Sequence, residues 1–375
     1  MNRRNFLGST IGASLAIASL LRLPPSIASS HIQNQVGHQI ISFTDGDIAV
    51  DNHQNSLARL YQIFEDQPNN LSISSAIINS ELINSQFLGD YSSLDRLSDL
   101  SEKLLNTNLK SPKAYIQVAQ ISASMHQFNI CMDYLRKAEL LNGNRNEIGH
   151  VQMSVLQATA KDQSGILDLR KEKAISSGVP EDLISYAALL ADDGQIEKAN
   201  LIYLKALHYK YKNPSPFIPA WICFQIGLLW GEIAKHNDKD LASYWYKKAI
   251  AYIPKYTKAR VHLAEIYTAS GRNELALQTL QPALASTDPE VSWKISDIYA
   301  MDNQPKYSAQ YLQLANSIFT SLLERYPLAF ADHAAEFYIS SGNNPDKAYQ
   351  LALLNYQNRP TERAANLLQN ARKLH

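Results

Sequence analysis

Cysteine and glycine, two residue types on which many cofactor and metal sites depend, are scarce in this chain. Its 375 residues include only two cysteines, too few for a disulfide framework or a cysteine-based zinc site. Its 14 glycines form no phosphate-binding loop. Gly-x-Ser-x-Gly, Cys-x-x-Cys and His-Glu-x-x-His motifs are also absent. The sequence therefore predicts a protein that is not an enzyme and carries no cofactor or bound metal.

Net charge and long apolar runs are missing as well. Lysine and arginine number 35, as do aspartate and glutamate, so the formal net charge is zero. A neutral chain has no electrostatic reason to bind nucleic acid or an anionic membrane. Beyond the N-terminus no stretch approaches the 18 or so apolar residues that a membrane span requires. We expect no nucleic-acid partner and no stable membrane span.

Small residues, in contrast, recur at fixed intervals. Two sets of three alanines are separated by the same 12 and then 7 residues, and these sets are Ala187, Ala199, Ala206 and Ala264, Ala276, Ala283. Two antiparallel helices approach closely only where side chains are small, so this spacing predicts a repeated helical hairpin. Gly194 and Gly271 lie between the first and second alanines, where a turn with left-handed backbone is expected.

This pattern resembles the tetratricopeptide repeat (TPR), a 34-residue helix–turn–helix unit. The resemblance implies an all-α, TPR-type α-solenoid, a right-handed superhelix of about seven to eight helical hairpins, over residues 71–360. The repeats at 148–175 and 290–327 fit the pattern least well, and residues 236–239 lengthen one turn. Residues 361–375 should form a C-terminal capping helix that begins after Thr361.

The N-terminus carries an export-like pattern. The run Asn2-Arg3-Arg4-Asn5-Phe6-Leu7 resembles the twin-arginine export motif, and a weakly apolar stretch follows it to Leu21. The sequence Ser26-Ile27-Ala28 is a small-x-small cleavage site, so residues 1–28 are predicted to be a signal peptide. The mature protein would then be exported to the periplasm or an equivalent extracytoplasmic compartment. The alternative is a short amphipathic N-terminus on a cytoplasmic protein.

Residues 29–70 are predicted to form a linker and a short helix over about 55–64. Six potential metal ligands lie in this segment, but no spacing among them is diagnostic of a metal site. They are His31, His38, Asp45, Asp47, Asp51 and His53. Asp45-Gly46-Asp47 reads as a turn.

The sequence contains two further sets of reactive side chains. His333, next to Asp332 and near Glu336, could support acid–base chemistry, although its place on a repeat helix favours a packing role. Cys131 and Cys223 lie several repeats apart, farther than the ~7 Å between Cα atoms that a disulfide allows. They are predicted to be buried, unbridged thiols.

Binding is expected on the concave groove, because the resemblance implies that the first helix of each hairpin lines it. The predicted groove residues are Lys113, Ile116, Gln120, Ile184, Trp221, Phe224, Leu228, Lys258, Val261 and Glu265. The lysine and asparagine clamp of chaperone-binding TPR proteins is absent from these positions. Trp221 and Phe224 make the centre of the groove aromatic, which suits a helix or an extended peptide. The alternative is that both side chains pack between hairpins.

The sequence thus favours an exported TPR scaffold that binds a protein or peptide partner and performs no catalysis. Two alternatives stay open. One is an exported enzyme or ligand-binding protein built on a helical solenoid, and the other is a cytoplasmic TPR adaptor.

Overall fold

The computed structural model describes residues 43–108, 110–159 and 164–375. The predicted signal peptide, His31 and His38 lie outside this part of the chain. Over the described residues the chain forms 18 α-helices and no strand. None of these helices combines the length and apolar character needed to cross a membrane.

Helix α1 (Gly46–Asp66) is followed by eight antiparallel hairpins and a last helix, α18 (Glu362–Arg372). The hairpins are α2/α3 (Leu71–Ile83, Ser92–Thr107), α4/α5 (Pro112–Ser124, Phe128–Leu140), α6/α7 (Arg145–Thr159, Ser164–Ser177), α8/α9 (Pro180–Asp192, Ile196–Leu207), α10/α11 (Phe217–Leu228, Lys239–Tyr252), α12/α13 (Thr257–Ala269, Asn273–Leu280), α14/α15 (Pro289–Met301, Pro305–Arg325) and α16/α17 (Pro327–Ile339, Pro345–Asn358). The predicted all-α solenoid of seven to eight hairpins is confirmed.

The turns inside the hairpins use left-handed backbone, as the glycine positions predict. Gly194 and Gly271 have φ values of 76° and 73°. In two other hairpins asparagine takes the same conformation, at Asn303 and Asn343, and Asn142 takes it in the connection between α5 and α6. Asparagine tolerates this region better than most side chains do, which explains how so many tight turns form with few glycines.

Local deviations from the regular repeat have clear causes. Helix α1 begins well before residue 55 because the Asp45 carboxylate caps it, accepting hydrogen bonds from the Asp47 and Ile48 amides. Asp45-Gly46-Asp47 is therefore the start of a helix. Helix α10 continues into a π-helical turn, Leu229–Ile233, and Asp238 caps α11 after a longer loop. Thr361 caps α18 through the Ala364 amide, at 3.3 Å.

Both cysteines are buried and unbridged, in agreement with the sequence. They belong to different core clusters, Cys131 to the one formed mainly by α1–α6 and Cys223 to the one formed mainly by α8–α14. Burial raises the pKa of each thiol to about 12.

The N-terminal hairpin, α2/α3, is in direct contact with later repeats. The Phe87 ring packs on Phe217 and Tyr256, with centroids 5.1 and 4.7 Å apart. The Thr257 hydroxyl donates to the Leu88 carbonyl at 3.0 Å. Further along, the Tyr91 ring meets Phe330 at 4.9 Å. The end of α2 and the loop after it therefore run across the N-terminal ends of α10, α12, α14 and α16.

Candidate functional site

The predicted groove residues are mostly inside the protein. Lys113, Gln120 and Glu265 are partly exposed. The other seven are buried, and they are Ile116, Ile184, Trp221, Phe224, Leu228, Lys258 and Val261.

The aromatic centre of the predicted groove lies in the chain's own core. Trp221 is 4% exposed and lines a small apolar cavity together with Ile83 and Phe87 from the N-terminal hairpin. Phe224 is fully buried, with the Tyr246 and Tyr256 rings 5.7 and 5.2 Å away. Both side chains are covered by the chain's own residues in this conformation. A role of Trp221 and Phe224 in binding stays a prediction. In this conformation both side chains pack inside the protein, as the alternative interpretation of the sequence proposed.

The inner face carries charged residues at repeated positions, and all but one of them, His262, are partly exposed. On α12, α14 and α16 a basic residue is followed three positions later by an acidic one, which places both on one helix face. We call these six residues the charge ladder: His262 with Glu265, Lys294 with Asp297, and His333 with Glu336.

Ion pairs connect the ladder across neighbouring hairpins. The Lys294 ammonium lies 2.8 Å from Glu265, and both side chains are 16% exposed. His262 Nδ1 lies 2.7 Å from Glu232 in the π-helical turn of the preceding hairpin. His333 Nδ1 lies 2.6 Å from Glu290 on α14. Each contact joins two successive repeats. The pairs therefore hold neighbouring inner helices together and also place opposite charges next to each other.

These pairings shift the proton affinities of the histidines. Burial opposes protonation of His333, but the Asp332 and Glu290 carboxylates raise its pKa to about 9. Burial likewise opposes protonation of His262, and Glu232 and Glu265 raise its pKa above the usual value. The two histidines of the charge ladder, His262 and His333, therefore favour their protonated forms.

One end of the ladder is closed and the other is open. At the closed end the Tyr91 hydroxyl donates to Asp288 at 3.2 Å, and the Thr287 amide donates to the Gly89 carbonyl at 2.9 Å. Lys258 is buried beside these groups, and desolvation lowers its pKa. At the opposite end, the last turns of the three inner helices expose Ala269, Ala300 and Ser340. A ligand can therefore approach the ladder from the C-terminal ends of these helices.

Among the metal and acid–base candidates, Asp45, His53 and His333 have structural roles, while Asp47 and Asp51 are exposed. Asp45 caps α1, and His53 Nε2 lies 2.9 Å from the Asn84 side-chain oxygen. His333 is held in its ion pair with Glu290. Across residues 43–108, 110–159 and 164–375, no group of three or more histidine, cysteine, aspartate or glutamate side chains is arranged to hold a metal.

The sequence pattern selected Glu265 for the groove and His333 and Glu336 as acid–base candidates, but it did not select His262, Lys294 or Asp297. A signal for them was present, because basic and acidic residues three apart recur at the same position of three successive first helices. The partners Glu232 and Glu290 come from neighbouring hairpins, and no repeat spacing indicates them.

Comparison with known proteins yields likenesses of backbone only. No protein-family model matches the chain, and no curated protein matches its sequence. The human IFIT1 dimer with PPP-AAAA is 15% identical, covering 86% of this chain and 78% of that chain, with a TM-score of 0.47. A Rap protein complexed with Competence and Sporulation Factor is 17% identical, covering 88% and 94%, with a TM-score of 0.48.

A third solved structure, NprR in complex with its cognate peptide NprX, is 14% identical, covering 84% of this chain and 99% of that chain, with a TM-score of 0.46. Identities and TM-scores this low carry no argument about function. The fold rests on the hairpins themselves, and they make the chain an all-α solenoid of the TPR type.

Proposed function

We propose that this chain is an exported, non-catalytic scaffold that binds a protein or peptide partner on its concave face. The observation that carries the proposal is the charge ladder, which presents acidic and basic groups at the same position on three successive inner helices. Its side chains are held in place by ion pairs between hairpins, so little side-chain entropy remains to be lost on binding. Its open end spans three successive inner helices, and packed helices lie about 8–10 Å apart, so several residues of an extended polypeptide can contact it.

Binding is expected on the exposed part of this ladder rather than at Trp221 and Phe224. The partner would lie along the C-terminal halves of α12, α14 and α16, where Glu265, Lys294 and His333 are partly exposed. An extended peptide or a helix can present charges at matching intervals. Charge complementarity of this kind contributes specificity and association rate more than affinity.

Export rests on the N-terminal sequence. The experiment is crosslinking in cells of the C-terminally tagged protein, followed by mass spectrometry of its N-terminus and of the retained proteins. A bait that begins near Ser29 and retains one enriched extracytoplasmic protein supports the proposal. Replacing Arg3 and Arg4 by lysine should abolish processing, whereas unchanged processing would remove the twin-arginine route.

A further inference from the structure

At the α10/α11 end of the charge ladder a small cleft holds two polar groups that lack partners. Its walls include Glu232, Tyr246, His262 and Glu265, with Ile266 nearer the rim. The Glu232 side chain is 6% exposed and Tyr246 is 1% exposed. Glu232 Oε2 and the Tyr246 hydroxyl have no hydrogen-bond partner, although both atoms are removed from solvent. A buried polar group without a partner costs free energy, so a ligand that satisfies both atoms would be favoured.

The backbone around Glu232 departs from a regular α-helix, and this departure helps to form the cleft. Glu232 lies in the π-helical turn Leu229–Ile233, and such turns often occur at functional sites. Gly231, next to it, also lines the cleft, and a β-carbon there would come within 3.5 Å of the Tyr246 hydroxyl. The turn therefore brings a carboxylate and a phenol together at the wall of an open cleft.

The charge and size of the cleft select the ligand. Two carboxylates line the cleft, and each already has a cationic partner: Glu232 Oε1 is paired with His262 at 2.7 Å, and Glu265 is paired with Lys294 at 2.8 Å. Lys239 is at the exposed rim, where solvent screens its charge. The space admits only one or two water-sized groups. An ammonium has this size and can donate to both unpartnered oxygens, whereas an anion has no hydrogen to donate to the Glu232 carboxylate.

From this geometry we infer that the cleft is a socket for the side-chain ammonium of a lysine on the bound partner. Glu232 Oε2 and the Tyr246 hydroxyl accept its hydrogen bonds, and Glu265, which is paired with Lys294, lines the same cleft. Ile266 and Ala269 line the cleft and provide apolar contact for the methylene stem. The inference deepens the proposed function and rests on it, because it assigns one side chain of the partner to one place on the groove.

The test uses the whole protein and two capped tripeptides, acetyl-Gly-Lys-Gly-amide and its norleucine counterpart, which has the same stem without the charge. Saturation-transfer NMR detects weak binding of each. The lysine peptide should bind at least about tenfold more tightly than the norleucine peptide, the effect expected for hydrogen bonds to a charged group. Equal binding of the two peptides, or no binding of the lysine peptide, would show that the cleft holds only water.

Three variants locate the binding. Glu232→Gln should abolish the preference for lysine, and Tyr246→Phe should reduce it several-fold. Tyr203→Phe is the matched control, because Tyr203 is also buried, occupies the same repeat position on α9 and is not part of the cleft. Tyr246→Phe removes a hydroxyl without partners, so its thermal midpoint should not fall, which separates binding from stability. A lysine preference that persists in Glu232→Gln overturns the socket.

The two proposals fail separately. If the lysine peptide does not bind while partner capture still depends on the groove, the socket is wrong and the scaffold function stands. If the lysine peptide binds through Glu232 but no partner depends on the groove, the socket stands as a cation site and the scaffold function is wrong.

Discussion

The ring of Tyr246 on α11 lies directly against the Cα of Gly227 on α10. A β-carbon at residue 227 would overlap the ring carbons of Tyr246, which is 1% exposed and has no room to move. The two helices of this hairpin therefore approach to a distance that only glycine permits. The same packing holds the tyrosine hydroxyl at the cleft beside Glu232.

This contact gives a first prediction with a built-in control. Gly227→Ala should destabilise the protein by about 2 kcal/mol or more, because a well-packed core does not accept an added methyl group. Gly149→Ala should stabilise it by about 0.5–1 kcal/mol, because Gly149 lies inside α6 with nothing within 4 Å of the new carbon. Urea unfolding followed by circular dichroism measures both changes. Equal effects of the two substitutions would contradict the packing described.

The ion pair of His333 with Glu290 predicts a dependence of stability on pH. The pKa of His333 is raised to about 9, from 6.5 in an unfolded chain. Its contribution is therefore complete below pH 6.5 and is lost as the pH rises through about 9. The loss should be on the order of 3 kcal/mol for a shift of this size.

Urea midpoints of the wild type and His333→Gln, measured at about pH 6 and about pH 10, isolate this contribution from other titrating groups. The difference in urea midpoint between the wild type and the variant should be large at the lower pH and smaller at the higher pH. A gap that is the same at both pH values would mean that His333 is not protonated preferentially in the folded state.

Because Trp221 and Phe224 are buried, substituting them tests the stability of the protein before it tests binding. Replacing either by alanine should cost about 3–5 kcal/mol, because each leaves a cavity in the core. Loss of partner binding in such a variant could therefore result from unfolding as well as from the loss of a direct contact. Tyr244→Ala is the control, since Tyr244 is 50% exposed on α11 and its loss should change stability by less than about 0.5 kcal/mol. Thermal unfolding distinguishes the two, and similar midpoints would show that the aromatic pair is accessible.

The cysteines report on the docking of the N-terminal hairpin. Both thiols are buried with a pKa of about 12, so an aromatic disulfide reagent should react with them only as the protein opens. Phe87 shares a core cluster with Cys223 and not with Cys131. Phe87→Ala should therefore speed the reaction of Cys223 selectively, as measured by peptide mass spectrometry. Equal acceleration of both cysteines would indicate global rather than local opening.

The sequence predicts the hairpins well because their determinants are local. Alanines at the helix contacts, and glycine or asparagine in the turns, act within one repeat. The docking of Phe87 against Phe217 and Tyr256 joins residues more than a hundred positions apart, and no repeat pattern encodes it. For this reason the sequence left open whether Trp221 and Phe224 line an open groove or pack between hairpins, and in the structure both are buried.

The candidate site was predictable only in part, for a similar reason. The sequence places Glu265 on the inner face, since its position within the repeat determines its direction. Glu232 reaches His262 because a π-helical turn shifts its helix face, and such a turn leaves no clear mark in the sequence. The cleft depends on this shift, so it became visible only in three dimensions.

The most direct test of the account blocks the open end of the charge ladder with a bulky side chain. Ala300 lies three residues after Asp297 on α14 and is exposed, while Ala309 is exposed on the outer helix α15. Both are replaced by tryptophan, and the amount of crosslinked partner recovered from cells is compared at equal expression and equal thermal midpoint. Ala300→Trp should lower recovery at least about tenfold, and Ala309→Trp should leave it unchanged. Equal recovery with both variants would contradict binding on the concave face.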